Sequence, residues 1–204
     1  MGLREQKKQQ TRQAILVTAN RLFRENGYEN TRVLDIIDPV QISKKTFFNY
    51  FPTKEAVLIS LAQEWFLRHT TNQGDEITAA EQQGSSPMER LQAKLLSRLD
   101  AVIRDKEFVR TLVNHTSFLN PKPGQGAQAI SPLATSYHEM LGLIKDAQRQ
   151  NEIRNDIPAE ELNEIFFAAR NAAITRWLMN DSEIDLKQQI ENVLKVITKG
   201  FQAD

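Results

Sequence analysis

The chain contains no cysteine. That excludes disulfides, thiolate zinc sites, iron–sulfur clusters and cysteine nucleophiles together. Glycine and proline are scarce, 8 and 7 in 204 residues, and they stand at breaks rather than in runs. No segment sustains a two-residue hydrophobic alternation, so no sheet is expected. No run of about 18 uncharged apolar residues occurs, which excludes a membrane span. The opening MGLREQKKQQTRQ lacks the apolar core of a signal peptide, so a cytoplasmic location is expected. The three histidines, His69, His115 and His138, form no HExxH pair, and no metal site is expected. The KPGQG stretch from Lys122 to Gly126 lacks the GK[ST] ending of a phosphate loop, and Ser117 and Ser131 have no GxSxG context. No catalytic centre is marked, and neither an enzyme nor a bound cofactor is expected.

Net charge is lacking too: 26 basic residues balance 26 acidic ones. The balance hides an asymmetry. Met1 to Lys54 carries ten basic residues and five acids, and the remainder carries 16 and 21. A positive end on an acidic body suits a polyanion partner, although a merely solvated face has the same composition. Arg4, Lys7, Lys8 and Arg12 form either a basic arm for DNA or a solubilising end.

The remaining composition, 40% hydrophobic and 25% charged, is that of a globule with a real core. The pattern reads as nine helices and an all-α fold. The first runs from about Gln6 to Asn26, with Ile15, Leu16, Ala19, Leu22 and Phe23 on one face and Gly27 ending it. Short helices follow near Val33–Asp38 and Ser43–Asn49, and Thr53 caps a fourth. Polar loops are expected at Asn72–Ser86 and Asn120–Ala129. Ser86-Pro87-Met88-Glu89 starts a helix to about Arg104, with a second from Lys106 to Leu119. Ser131 starts another to about Asn151, Pro158 opens a long one to about Met179, and Asp185 with Gln188 forms a capping box for the last.

The informative segment is TRVLDIIDPVQISKKTFFNYFPTKE, Thr31 to Glu55. Two short helices flank a turn, as in a helix-turn-helix over 32–51. Val33, Ile36 and Ile37 face a core, Ile42 plugs the turn, and Ser43 caps the second helix. That helix places Lys44, Lys45, Thr46, Phe48 and Asn49 outward, with Phe47 and Phe51 inward. One helix fits a major groove, where lysine donates to guanine and threonine meets a thymine methyl group. Arg32 and Lys54 flank the pair and are expected beside phosphates.

These residues resemble the TetR-type (TetR/AcrR family) transcriptional regulators. The family's signature reads "ILxxAxxLFxxxGY", "T…DIA" and "VSxxTxYxxFxxKExL". This chain has Ile15-Leu16, Ala19, Leu22-Phe23, Gly27-Tyr28, Thr31, Asp35-Ile36, Ile42-Ser43, Thr46, Phe51, Lys54-Glu55 and Val57-Leu58 at matching spacings. The resemblance covers about Gln9 to His69. It implies an all-helical homodimer. The resemblance implies a DNA-binding domain at 9–69 with three N-terminal helices, and a helical domain at 70–204 that is expected to dimerise and hold a small-molecule effector. It further implies that Ser43, Lys44, Lys45, Thr46, Phe48, Asn49 and Tyr50 meet a palindromic duplex, with Lys54 on phosphate, and that the protein is a repressor released by its ligand. The chain departs from the pattern at Phe48 for tyrosine, at Gln41 for the turn glycine, at Pro39 late in the first short helix and at Ile37 for alanine. A left-handed backbone is disfavoured at Gln41, and Pro39 is expected to end its helix early. A dimeric helical ligand-binding or adaptor protein with a degenerate helix-turn-helix is the alternative these departures support.

In the body, Leu162, Ile165, Phe166, Ala169, Ala173 and Trp177 form one helical stripe, and Ile190, Val193, Leu194, Ile197 and Phe201 lie on another. Leu162, Phe166, Ala169, Ala173 and Trp177 with that second stripe suit a four-helix interface across a two-fold axis, which is favoured over the alternative of an ordinary monomer core. Phe108, Leu112, His115, Phe118, Tyr137, Met140, Leu141, Ile144, Phe167 and Arg170 are candidates for an apolar effector cavity with a few polar groups, or again for plain core.

Overall fold

The computed structural model describes residues 2–71, 85–116, 131–180 and 185–199, with nine helices and no strand among them. They are α1 (Leu3–Asn26), α2 (Val33–Val40), α3 (Lys44–Tyr50), α4 (Lys54–Thr71), α5 (Pro87–Arg104), α6 (Lys106–His115), α7 (Ser131–Arg149), α8 (Ala159–Met179) and α9 (Leu186–Lys199). The expected loops lie outside the described residues apart from Ser85 and Ser86, and the helix expected to reach Leu119 is described as far as His115. The described residues group into two compact units. The first holds those up to Trp65 together with Asn114–Thr116, and the second holds the rest.

In the first unit α1 packs on α2, and α2 on α3. Ile15, Leu16 and Ala19 of α1 are fully buried, as are Ile36, Phe47, Val57 and Leu58. α1 begins at Leu3 rather than near Gln6. Its opening, residues 2–10, is entirely exposed. Gly27 ends the helix at φ +81, a backbone conformation that side chains disfavour. Buried Thr31 then fastens the following turn by donating its hydroxyl proton to Gly27 O at 2.8 Å.

α2 corrects two expectations. Pro39 does not end the helix at Asp38, because α2 runs on to Val40. The proline costs one ladder bond, and so near the C-terminus little helix remains to be disrupted. Gln41 does adopt the left-handed backbone, at φ 57 and ψ 46. Two bonds hold it there: Gln41 N–H donates to Asp38 O at 3.1 Å and Ile42 N–H to Ile37 O at 3.3 Å. This is the paired terminal pattern usually closed by glycine, and it offsets a strain of about 1 kcal/mol. At the other end the Asp35 carboxylate accepts the Arg32 backbone N–H at 2.7 Å. The helix-turn-helix therefore forms despite both departures.

In the second unit α8 packs on α7 and α9, and α5 on α7 and α9. The Ser86 box closes at both halves: Glu89 N–H donates to Ser86 Oγ at 3.2 Å, and Ser86 N–H to Glu89 Oε2 at 2.8 Å. The Asp185 box closes at one half only. Asp185 Oδ1 accepts from Lys187 and Gln188 N–H, while the Gln188 side chain turns to Asn192 Oδ1. α7 ends as α2 does, with left-handed Asn151 and a bond from Glu152 N–H to Ala147 O at 2.9 Å. None of the described helices is long and apolar enough to cross a membrane.

Candidate functional site

The outward face of α3 is built from the inside. Phe47 is fully buried, and Phe51 nearly so. The Phe47 ring meets Phe48 edge-on at 5.4 Å and Phe51 at 6.1 Å. Burying that one position turns Lys44, Lys45, Phe48 and Asn49 toward solvent as two i, i+4 rows. Thr46 and Tyr50 are half-buried. Ser43 caps the helix, accepting Thr46 N–H at 3.0 Å, and its hydroxyl shares a 2.8 Å hydrogen bond with that of Thr46. Arg32 is exposed at the start of α2. A seven-residue helix is on the order of 10 Å long, which suits a major groove about 12 Å wide. Phe48 is 42% exposed and its side chain has no hydrogen-bonding atom, so it offers the outward face an apolar surface.

Lys54 is half-buried and anchors a turn. Its ammonium donates to Tyr28 O at 2.7 Å and Thr31 O at 3.0 Å, and it lies 4.1 Å from the centroid of the Tyr28 ring. Two of its three donors are thus spent on the turn that leads into Arg32. Burial, and then the charges of Glu55 and Glu29, hold the Tyr28 phenol above its ordinary pKa. The ring therefore stays neutral beneath the cation. Arg12 is similarly engaged: it donates to Ser60 Oγ at 3.1 Å and lies over the Phe51 ring at 5.2 Å. Arg4, Lys7 and Lys8 stand exposed on the first turns of α1.

The second unit contains an apolar chamber lined by Met88, Leu91, Met140, Ile144, Ile153, Leu162, Phe166, Leu194, Ile197 and Thr198. Thr198 spends its hydroxyl on Leu194 O at 2.9 Å. The free volume is about 10 Å³, enough for about one water molecule. Any larger guest must part the helices.

The structure divides the sequence candidates for a cavity. Met140 and Ile144 line the chamber. Leu112 is fully buried but does not line it, and Phe108 and Leu141 are half-buried elsewhere. Tyr137 and Phe167 meet ring to ring at 5.5 Å, with the Arg170 guanidinium over Phe167. His115 belongs with the first unit, its ring 4.4 Å from that of Tyr28 and its Nδ1 3.2 Å from Glu29 Oε1. Phe118 and Phe201 lie outside the described residues.

The residues read as a dimer stripe divide as well. Leu162, Phe166, Ala173, Trp177 and Ile190 are covered by their own chain, and Leu162, Phe166, Leu194 and Ile197 line the chamber. Ala169 and Val193 are half-buried. The uncovered side of α8 instead shows Ile165, Ala168, Ala172 and Met179, and α9 adds Val196.

The second unit also holds a polar network that joins residues distant in sequence. Arg98 donates to Ser136 Oγ at 2.6 Å and Glu139 Oε2 at 2.7 Å, and Lys94 Nζ lies 3.1 Å from the same oxygen. The i, i+4 spacing of Lys94 and Arg98 and the i, i+3 spacing of Ser136 and Glu139 were its available signals.

Two family descriptions match the sequence. Bacterial regulatory proteins, tetR family, covers residues 15–61, and YsiA-like protein, C-terminal region, covers residues 76–200. The Fatty acid metabolism regulator protein of Bacillus subtilis (strain 168) is 24% identical over 190 residues, spanning 92% of this chain and 93% of the relative. The crystal structure of Thermus thermophilus FadR, a TetR family transcriptional repressor in complex with lauroyl-CoA, superposes with a TM-score of 0.75 at 24% identity, covering 95% of this chain and 96% of that one. FadR from Bacillus subtilis in complex with stearoyl-CoA superposes with a TM-score of 0.68 at 20% identity, over 93% and 99% of the two chains. At these identities the structural likeness establishes the fold.

Proposed function

Since this chain belongs to the tetR family of bacterial regulatory proteins and is a DNA-binding transcriptional regulator, we propose that it is a cytoplasmic repressor whose homodimer leaves a palindromic operator when a long-chain acyl thioester enters the apolar chamber. The observation that carries the DNA half is the α3 face, where one fully buried aromatic turns two lysines, Phe48 and Asn49 outward together. Lys44 and Lys45 supply phosphate or guanine contacts, Asn49 reads an edge, and Ser43 and Arg32 sit on the backbone. Lys54 acts chiefly through the turn it holds.

A homodimer gives the α3 face a second copy, with half-sites one turn apart at roughly 34–36 Å. The uncovered face of α8 and α9, with Ile165, Ala168, Ala172, Met179 and Val196, is the surface offered to that copy. Its small residues let two helices approach closely, as in a four-helix bundle.

The chamber supports the effector class. Its lining offers hydrocarbon and one satisfied hydroxyl, which suits an alkyl chain rather than a sugar or a base. The full-length relatives named above include a fatty acid metabolism regulator and two proteins solved with acyl-CoA. Because the chamber is nearly closed, a chain that occupies it must stabilise a more open second unit. A differential affinity of about 1–3 kcal/mol lowers operator affinity about 5- to 150-fold, and DNA weakens acyl binding by the same factor. Fluorescence anisotropy of preformed protein–DNA complexes titrated with lauroyl-CoA tests this. Release by acyl-CoA and none by CoA alone is expected. Retention of DNA in the presence of saturating C12 to C18 acyl-CoA contradicts the effector class.

A further inference from the structure

Around Arg170, the described residues of the second unit place cations close together with one paired carboxylate between two of them. Arg170 on α8 donates through Nε and Nη2 to Asn171 Oδ1, at 3.2 and 3.0 Å, and its guanidinium lies 4.2 Å from the centroid of the Phe167 ring. Neither partner carries a charge. The charge that acts on it most is another cation, Arg98. Among the described residues Glu139 is the acid paired with Arg98, and its Oε2 serves both Arg98 and Lys94. Two cations thus share that carboxylate, and the contacts of Arg170 among the described residues include no acid. Burial, and then repulsion from Arg98, pushes the Arg170 pKa down to about 10, so the group is still charged at neutral pH. Arg170 is half-buried, and cations drawn out of water are ordinarily paired.

A second polar group lies nearby. Asn163, two turns before Arg170 on α8, is fully buried. Its amide Nδ2 donates to Tyr137 O at 3.3 Å, and its Oδ1 has no donor among the described residues. The Tyr137 ring packs on Phe167, the ring beneath Arg170. Phe167 in turn meets Phe166 edge-on at 6.0 Å, and Phe166 lines the apolar chamber. The unpaired cation and the orphan acceptor therefore adjoin the chamber across one pair of aromatic rings.

We propose that Arg170 is the subsite for an oxyanion, carboxylate or phosphate, of an amphipathic effector whose chain fills the chamber. The planar guanidinium keeps N–H donors unspent after the Asn171 bonds, in a fork that fits two oxygens of one anion. Asn163 Oδ1 accepts an N–H or O–H of the same ligand. The anion gives Arg170 the negative partner that its contacts among the described residues do not include. This subsite rests on the reading that the effector is a chain-bearing acyl compound, and it goes beyond that reading by requiring a negative group at a named position.

Isothermal titration of the full-length protein with three C12 probes tests it: laurate, lauroyl-CoA and neutral 1-dodecanol. The wild-type chain is expected to bind at least one of the two anions tenfold or more tightly than 1-dodecanol. The anion that shows the gap identifies a carboxylate or a phosphate as the source. Arg170→Gln is expected to remove the gap while leaving 1-dodecanol affinity within twofold, and Arg170→Lys to keep part of it. The wild-type comparison stands even if a variant does not fold. Equal wild-type affinity for anionic and neutral probes overturns the subsite and leaves the acyl effector in place, as does a gap that survives Arg170→Gln. Failure of all three probes to bind the wild type overturns the effector reading, and the subsite with it.

Discussion

Phe47→Ala abolishes operator binding and destabilises the first unit by about 3–5 kcal/mol, the usual cost of truncating a buried phenylalanine. The position is fully enclosed, and it is the one side chain of α3 that is completely buried. A seven-residue helix has no stability of its own in water. Without the Phe47 ring, α3 loses its anchor against α2, and the cap at Ser43 has nothing left to align. The loss is a large share of the 5–15 kcal/mol that holds an ordinary domain together. Urea unfolding followed by circular dichroism is expected to show an early transition absent from the wild type, with DNA binding lost in anisotropy. Phe48→Ala supplies the contrast. That ring is exposed, so stability is expected to stay within about 0.5 kcal/mol while DNA affinity falls. Equal stability of Phe47→Ala and Phe48→Ala contradicts the packing described for α3.

Lys44→Ala with Lys45→Ala weakens binding to every DNA sequence and flattens its salt dependence. Both ammonium groups are exposed on the outward face of α3. Each lysine that neutralises a phosphate contributes about 0.9 to the slope of log affinity against log salt. Two per subunit remove about 3.6 from the slope of a dimer. Anisotropy titrations at several potassium chloride concentrations measure this directly. An unchanged slope removes the phosphate role from both residues. A slope changed by half, with altered preference at one base pair, assigns one lysine to phosphate and the other to a guanine edge.

The helix ends were legible because capping is local chemistry. Ser43, Thr53 and Ser86 each accept a backbone N–H three residues on, and that spacing is visible in a string of letters. The end of α2 was not legible. Propensity counts against Gln41 in a left-handed backbone and against Pro39 inside a helix, but two terminal hydrogen bonds and the burial of Ile36 and Ile37 outweigh both preferences. The start of α1 at Leu3 was missed because its first turns have neither a side-chain cap nor an apolar face.

The candidate interface on α3 was readable from helical spacing once Phe47 was set inward. The contacts of Lys54 were not, since its acceptors, Tyr28 O and Thr31 O, come from a turn more than twenty residues away. α8 shows the other limit. It is apolar on most sides, and periodicity alone does not say which side its own chain covers. Leu162 and Phe166 prove to face the chamber, while Ile165 and Ala168 stay uncovered. The cluster around Arg170 depends on three helices meeting, and no window of sequence contains it.

Two copies of the α3 face are proposed to read one duplex. Selection of genomic fragments by the purified full-length protein at low salt, followed by sequencing of what is retained, is the decisive experiment. The expected result is a shared inverted repeat whose half-sites lie about one helical turn apart, lost on Phe47→Ala. Retention of no fragments, or of fragments with no common motif, contradicts it.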